Sequence, residues 1–274
     1  MLLLLAACQS REPVKIGFVA GLSGRVADVG ISERNGAQMA VDDANAAGGI
    51  DGRMIELVVH DDGQNPENTA RLVAELADAQ VAFVIGPMTS STAVAGAAIA
   101  NQCKLVMISP AGTTDELSGK ADYYYRCVAD APAAAQQQAD FLLDLGRRKL
   151  TVLGDSNNYA FAASYAKALG ARFKARGGQV VLDTEFVSGA QTQVAKLAEQ
   201  LLAPAPDALV LIAGAVDAAL VAQHVSNLDD QVVIAVTPWA GTEELIQLGG
   251  RALEGTFVPQ AVSQVRRSLP PALR

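Results

Sequence analysis

The sequence predicts an α/β protein of two doubly wound parallel-sheet lobes joined by hinge strands. Three observations carry this reading. Short apolar runs rich in Val and Ile are continuous rather than alternating, as strands covered on both faces require. Each run is followed by a longer Ala-rich amphipathic segment, and a βαβα alternation with right-handed crossovers gives a doubly wound sheet. The pattern then occurs a second time, with no Gly/Ser-rich or Pro-rich linker between the two series. Lobes joined by extended segments are therefore expected, rather than domains strung on a tether.

Lobe one, residues 14–120, opens on the run Val14 to Ala20 and continues through Ile55 to His60, Val81 to Ile85 and Leu105 to Ser109. Helices are predicted between these strands over 32–47, 66–79 and 91–102. Asn65-Pro66 sets a capping side chain before a proline at the first helical position. Leu72, Val73 and Leu76 then recur at helical spacing, and Gly48-Gly49 ends the first helix where a left-handed residue is wanted. The junction near 121–130 carries Tyr123-Tyr124-Tyr125-Arg126, read as hinge packing. Lobe two, residues 121–254, is predicted as helices 133–145, 160–176, 191–202 and 218–227 around strands 149–153, 179–186, 208–212 and 231–236. Each lobe is thus expected to hold four strands. Ala203-Pro204-Ala205-Pro206 is a helix stop and loop.

Composition narrows the function. Half of the 274 residues are apolar, enough for a sizeable core. A net charge of -8 argues against nucleic acid, which demands clustered Lys and Arg. The apolar run Leu2 to Ala7 is too short to span a bilayer, which takes about 20 residues. Residues 1–8 read instead as the remnant of a signal peptide. Leu5-Ala6-Ala7-Cys8 resembles the bacterial lipobox, which makes Cys8 the expected lipid-attachment site and the membrane a partner through that anchor only. No basic segment precedes Leu2, so the expected start lies upstream or the chain is trimmed. Cys103 and Cys127 could pair in an exported protein, but spacing alone does not supply the Cα separation a bridge needs. His60 and His224 stand apart from any Cys spacing, so neither a metal nor a cofactor is expected.

Four blocks go further: KIGFVAGLSG at 15–24, RNGAQMAVDDANAAGGIDGRMIELVVHDD at 34–62, VIGPMTSSTAVA at 84–95 and MISPAGTT at 107–114. With Asn45, Gly48, Gly49, Gly52 and Arg53 followed by a strand and Asp61-Asp62, they resemble type I periplasmic binding proteins of the leucine/isoleucine/valine-binding family. The resemblance runs from about residue 14 to 260 and is looser in lobe two. It implies the type I periplasmic binding protein fold, a small-molecule ligand held between the lobes, and ABC permease subunits as partners. Gly255-Thr256-Phe257-Val258 matches the start of the crossover back to lobe one, while Gln260 to Arg274 does not resemble the family's continuation. A C-terminally truncated member is therefore expected, with 255–274 as the interrupted crossover.

A cleft at the carboxyl ends of parallel strands is the rule for such sheets. Strand 81–85 leads into Gly86-Pro87-Met88-Thr89-Ser90-Ser91-Thr92 and a helix start, whose free amides and positive dipole end suit an anion. In the family, the residues matching Ser90, Ala111 and Thr113 hold the ligand carboxylate, with Ser91 in the same run. Tyr159 matches a cleft tyrosine, although Ala160 stands where the family usually has glycine. The single tryptophan, Trp239, follows the last strand at a cleft-facing end. The lobe-two positions that meet a ligand ammonium in amino-acid-binding members fall at Trp239 and Ala215, and the lobe-one tyrosine falls at Val29. A shift of the lobe-two alignment would bring Glu243 or Asp217 there instead. The resemblance thus implies a branched-chain amino acid-like or related small carboxylate, with small aromatic or branched carboxylates preferred over α-amino acids. Enzyme function is not expected, since no P-loop, nucleophile elbow or H-E-x-x-H is present. The alternatives are a ligand-sensing or envelope-enzyme-regulating lipoprotein of the same fold, or a non-functional remnant.

Overall fold

A computed structural model describes residues 12–259. Cys8 and the segment 260–274 lie outside the described residues. Lobe one is built from β1 (Val14–Ala20), α1 (Ala27–Ala46), β2 (Ile55–Asp61), α2 (Pro66–Asp78), β3 (Val84–Ile85), α3 (Ser90–Cys103), β4 (Met107–Ser109) and β5 (Tyr124–Arg126). Its sheet has the order β2-β1-β3-β4-β5 and every pairing is parallel. The last five residues of β1 are buried, which explains their unbroken apolar run. Leu72, Val73 and Leu76 of α2 bury against this strand. At Gly17 a Cβ would sit 2.8 Å from a Leu76 methyl, so glycine sets how closely α2 approaches.

The residues of the longest sequence block do structural work. Asn45 closes a reciprocal pair with Ile55, its amide donating at 2.9 Å and its oxygen accepting at 2.7 Å, which ties the end of α1 to the start of β2. Gly49 has φ +73°, and a Cβ there would meet the Arg53 carbonyl at 2.0 Å. Arg53 in turn donates to the carbonyls of Glu12 and Pro13.

Lobe two comprises α4 (Ala131–Asp144), β6 (Lys149–Asp155), α5 (Tyr159–Ala175), β7 (Gln179–Phe186), α6 (Val194–Leu202), β8 (Ala208–Ile212), α7 (Ala215–Leu228), β9 (Val233–Val236) and α8 (Glu243–Gly249). The parallel order is β7-β6-β8-β9. All five residues of β8 are buried, because one apolar cluster covers each face. Two buried polar side chains here are satisfied by chaining: Tyr165 donates to Gln138 at 3.0 Å, and Gln138 donates to the Val236 carbonyl at 2.8 Å. Beyond β9 the returning chain adds one more pairing, Phe257 alongside Ala235.

Several expected boundaries move. The first helix begins at Ala27, not 32, because Gly30 lets its first turn nest against the Gly21 carbonyl; a Cβ there would lie 2.1 Å from that oxygen. The first sheet has five strands rather than four, since Tyr124–Arg126 pairs with β4 before the chain enters lobe two. Only Val84 and Ile85 of the predicted 81–85 run form a ladder. Helix α8 was not expected at all. Cys103 and Cys127 are free and exposed, so the pairing left open by spacing is not made.

Candidate functional site

The loops at the carboxyl ends of both sheets face one another. In lobe one, Thr89 caps α3, accepting from the Thr92 amide at 3.4 Å. Ser90 is then left for another task. It is 1% exposed, and its Oγ accepts from the amides of Thr113 at 3.0 Å and Thr114 at 3.1 Å. That fills both lone pairs of the hydroxyl and leaves its hydrogen to donate. The loop after β4 is held on every side. Ser109 donates to the Pro87 carbonyl and accepts from Gly112, Tyr124 donates to the Gly112 carbonyl, and Arg126 donates to the Thr114 carbonyl. Gly112 is required here, since a Cβ would lie 2.6 Å from the Tyr124 hydroxyl. Half-buried Ala111 lies within this braced loop.

Ser91 faces lobe two. Its amide donates to Asn158 Oδ1 at 3.1 Å, and its Oγ accepts from the Ala160 amide at 3.1 Å. The N-terminus of α3 is therefore joined directly to the N-terminus of α5. Two helices present their positive dipole ends to one place, an arrangement suited to an anion. A third contact, from the Asp115 amide to Ser164 Oγ at 3.4 Å, extends the seam.

Opposite this seam, Arg25 in the loop after β1 reaches across to lobe two. It donates to Asp217 Oδ1 at 2.6 Å and to the Gly189 carbonyl at 3.2 Å. Asp217, in the first turn of α7, also accepts from Ser188 Oγ at 2.5 Å. Asp155, at the end of β6, accepts from the amides of Asn157 and Ser188. Burial holds its carboxyl above the usual range, with the Asp217 charge adding and the Arg25 charge opposing. Trp239 spans both lobes: its ring meets Phe161 edge-on at 5.8 Å and shares a cluster with Val26, Met88 and Phe18. Gly214 permits this, because a Cβ there would lie 2.8 Å from Val26.

The structure therefore brings Ser90, Ser91 and Thr113 together, with Ala111 beside them, and sets Trp239 at the lobe interface. Tyr159 begins α5 but is 54% exposed; the amide of the following Ala160 makes the cross-lobe bond. Val29 joins the cluster around Trp239, and Ala215 is buried at the start of α7. Sequence reasoning missed Arg25, Asn158 and Ser188. Arg25 follows Ser23-Gly24 in the loop after β1 and Asn158 follows Asp155-Ser156-Asn157 after β6, so position after a strand was the available signal.

Comparisons with known proteins agree with this architecture. A family model described as periplasmic binding protein matches residues 13–268. The Leu/Ile/Val-binding protein BraC3 of Rhizobium johnstonii is 24% identical over 253 residues, covering 90% of this chain and 67% of that protein. The Leu/Ile/Val-binding protein of Escherichia coli K12 is 34% identical over 109 residues, 40% of this chain and 30% of its own. Among solved structures, the branched-chain amino acid transporter substrate-binding protein LivJ of Streptococcus pneumoniae, in complex with isoleucine, superposes with a TM-score of 0.83 at 26% identity. It covers 95% of this chain and 74% of that one.

Proposed function

The chain belongs to the periplasmic binding protein family, and from that premise we propose that it is the solute-binding component of an ABC importer, closing two lobes on a small carboxylate. It is a binding protein related to the branched-chain amino acid-binding proteins, and not an enzyme. The family is extracytoplasmic, and attachment through Cys8 suits a binding component that must stay near its permease. In a bacterial host, Cys8→Ser is expected to release the protein from the membrane fraction. Identical partitioning of the two forms excludes the anchor.

The observation that carries the carboxylate reading is the meeting of the α3 and α5 N-termini, with the Ser90 hydroxyl hydrogen left to donate. The ligand class is supported by the state of lobe two. Its two buried carboxylates, Asp155 and Asp217, are both engaged by the protein's own donors, so a ligand ammonium would have to compete for them. Trp239 offers an indole to an apolar or aromatic group. A branched or aromatic carboxylate without an amine fits this better than an α-amino acid.

Titration calorimetry with 4-methyl-2-oxopentanoate, benzoate, leucine and isoleucine tests the class. The deaminated acids are expected to bind more tightly. Tight isoleucine binding without response to the acids would overturn the ligand class. A hydrogen bond to a charged group is worth about 1.5–3 kcal/mol, so Ser90→Ala should weaken carboxylate binding roughly tenfold to a hundredfold. An unchanged Kd rules out the clamp.

A further inference from the structure

We infer that Arg25 is a positioning residue for lobe closure, forming with Asp217 a clasp that holds the cleft shut through the protein's own charges. The two residues are 192 positions apart and belong to different lobes. Their contact is short, at 2.6 Å, and the Asp217 side chain is only 4% exposed while that of Arg25 is 32% exposed. A surface ion pair contributes little. This pair differs because one partner is buried and both are tied down further. Ser188 holds the second carboxylate oxygen of Asp217, and the Gly189 carbonyl holds the second guanidinium nitrogen of Arg25. Ser188 also donates its amide to Asp155, which fixes the turn that presents both groups.

The clasp sits beside the apolar part of the interface. Val26, next in sequence to Arg25, packs with Trp239 and lies against Gly214, three residues before Asp217. Separating the lobes would break the ion pair and uncover the indole contact together. A guanidinium supplied by lobe one thus meets a lobe-two carboxylate, and closure needs no cation from the ligand. The inference rests on the interlobe cleft as the binding site, yet its test uses no ligand, so it can fail while the carboxylate reading stands.

The test is the interlobe distance distribution. Spin labels at exposed Glu67 and Lys196, each near a helix start on the cleft side of its lobe, are read by pulsed electron resonance with the native cysteines replaced by serine. The parent protein is expected to show one short distance. Arg25→Gln should raise the longer-distance population about tenfold or more, given the strength of charged hydrogen bonds. Arg25→Lys, which keeps the charge and loses the planar fork, should restore the short distance in part. If Arg25→Gln does not fold, the double variant with Asp217→Asn leaves no unpaired buried carboxylate and is read in its place. A distribution unchanged by removing the clasp, or a parent protein already at the long distance, overturns the inference.

Discussion

Glu33 occupies a position that its residue type resists. It lies on α1 one turn from Val29 and one turn from Ala37, on the face that packs into the apolar cluster with Phe18 and Met88. Its Oε2 is shielded from solvent and has no hydrogen-bond partner. Burial pushes the carboxyl up from the ordinary value of 4.5 to about 8. The folded state therefore binds a proton that the unfolded chain has released between those two values. Stability should fall as pH rises above the unfolded value, and the loss should level off above about 8. Glu33→Gln, which cannot ionise, is expected to flatten this decline in Tm between pH 5 and 9. Parallel Tm curves for parent and variant would show that Glu33 does not titrate as described. The neighbouring cleft shows the converse case, where a buried acid, Asp217, is matched by a cation from the other lobe.

Elements were legible where local signals were complete. Helix α2 has its cap in Asn65, which accepts from the Asn68 amide at 2.9 Å, its proline at the first turn, and an apolar stripe. It was predicted to within one residue of its end. Strands 179–186 and 208–212 were predicted to the residue. Strand β5 is only three residues long and alternates a buried Tyr124 with an exposed Tyr125. So short a segment carries no periodicity, and its pairing with β4 makes it a strand. Helix α8 is seven residues with Leu245 and Gly249 buried, again below the length at which a pattern emerges. The start of α1 was missed because Asp28 and Gly30 interrupt the short stretch from Ala27 to Ile31, leaving no apolar stripe in the first turn.

At the scale of the whole molecule, each lobe has its own core, and few contacts join them. One pair of clusters lies in lobe two, while others fill lobe one, and the cluster containing Trp239 bridges the cleft. Interfaces between domains of one chain are commonly small and permit relative motion, and hinge closure is the usual motion of such folds. The interface is thus expected to loosen before either core melts. Because Trp239 is the single tryptophan, its emission reports the junction where the interlobe cluster meets the lobe-two core. In a urea titration the red shift of Trp239 emission should precede the loss of helical circular dichroism. Coincident transitions would show that the lobes and their interface unfold as one unit.

The amino-acid sequence by itself determined the layered α/β lobes and the Ser/Thr-rich start of α3. Strands covered on both faces need continuous apolar runs, and helix starts need particular side chains; both are local requirements. It also located Ser90, though not its use: the oxygen that braces Thr113 and Thr114 could only be assigned once β3 and β4 lay side by side. Only the tertiary structure decided which residues meet across the cleft. The contacts of Ser91 with Asn158, Arg25 with Asp217 and Trp239 with Val26 join loops of different lobes. Such loops have no shared periodicity, and their register is set by how two folded bodies dock. The physical reason is separation: a helix or strand is specified by neighbours along the chain, whereas this cleft is specified by residues brought together from its two halves.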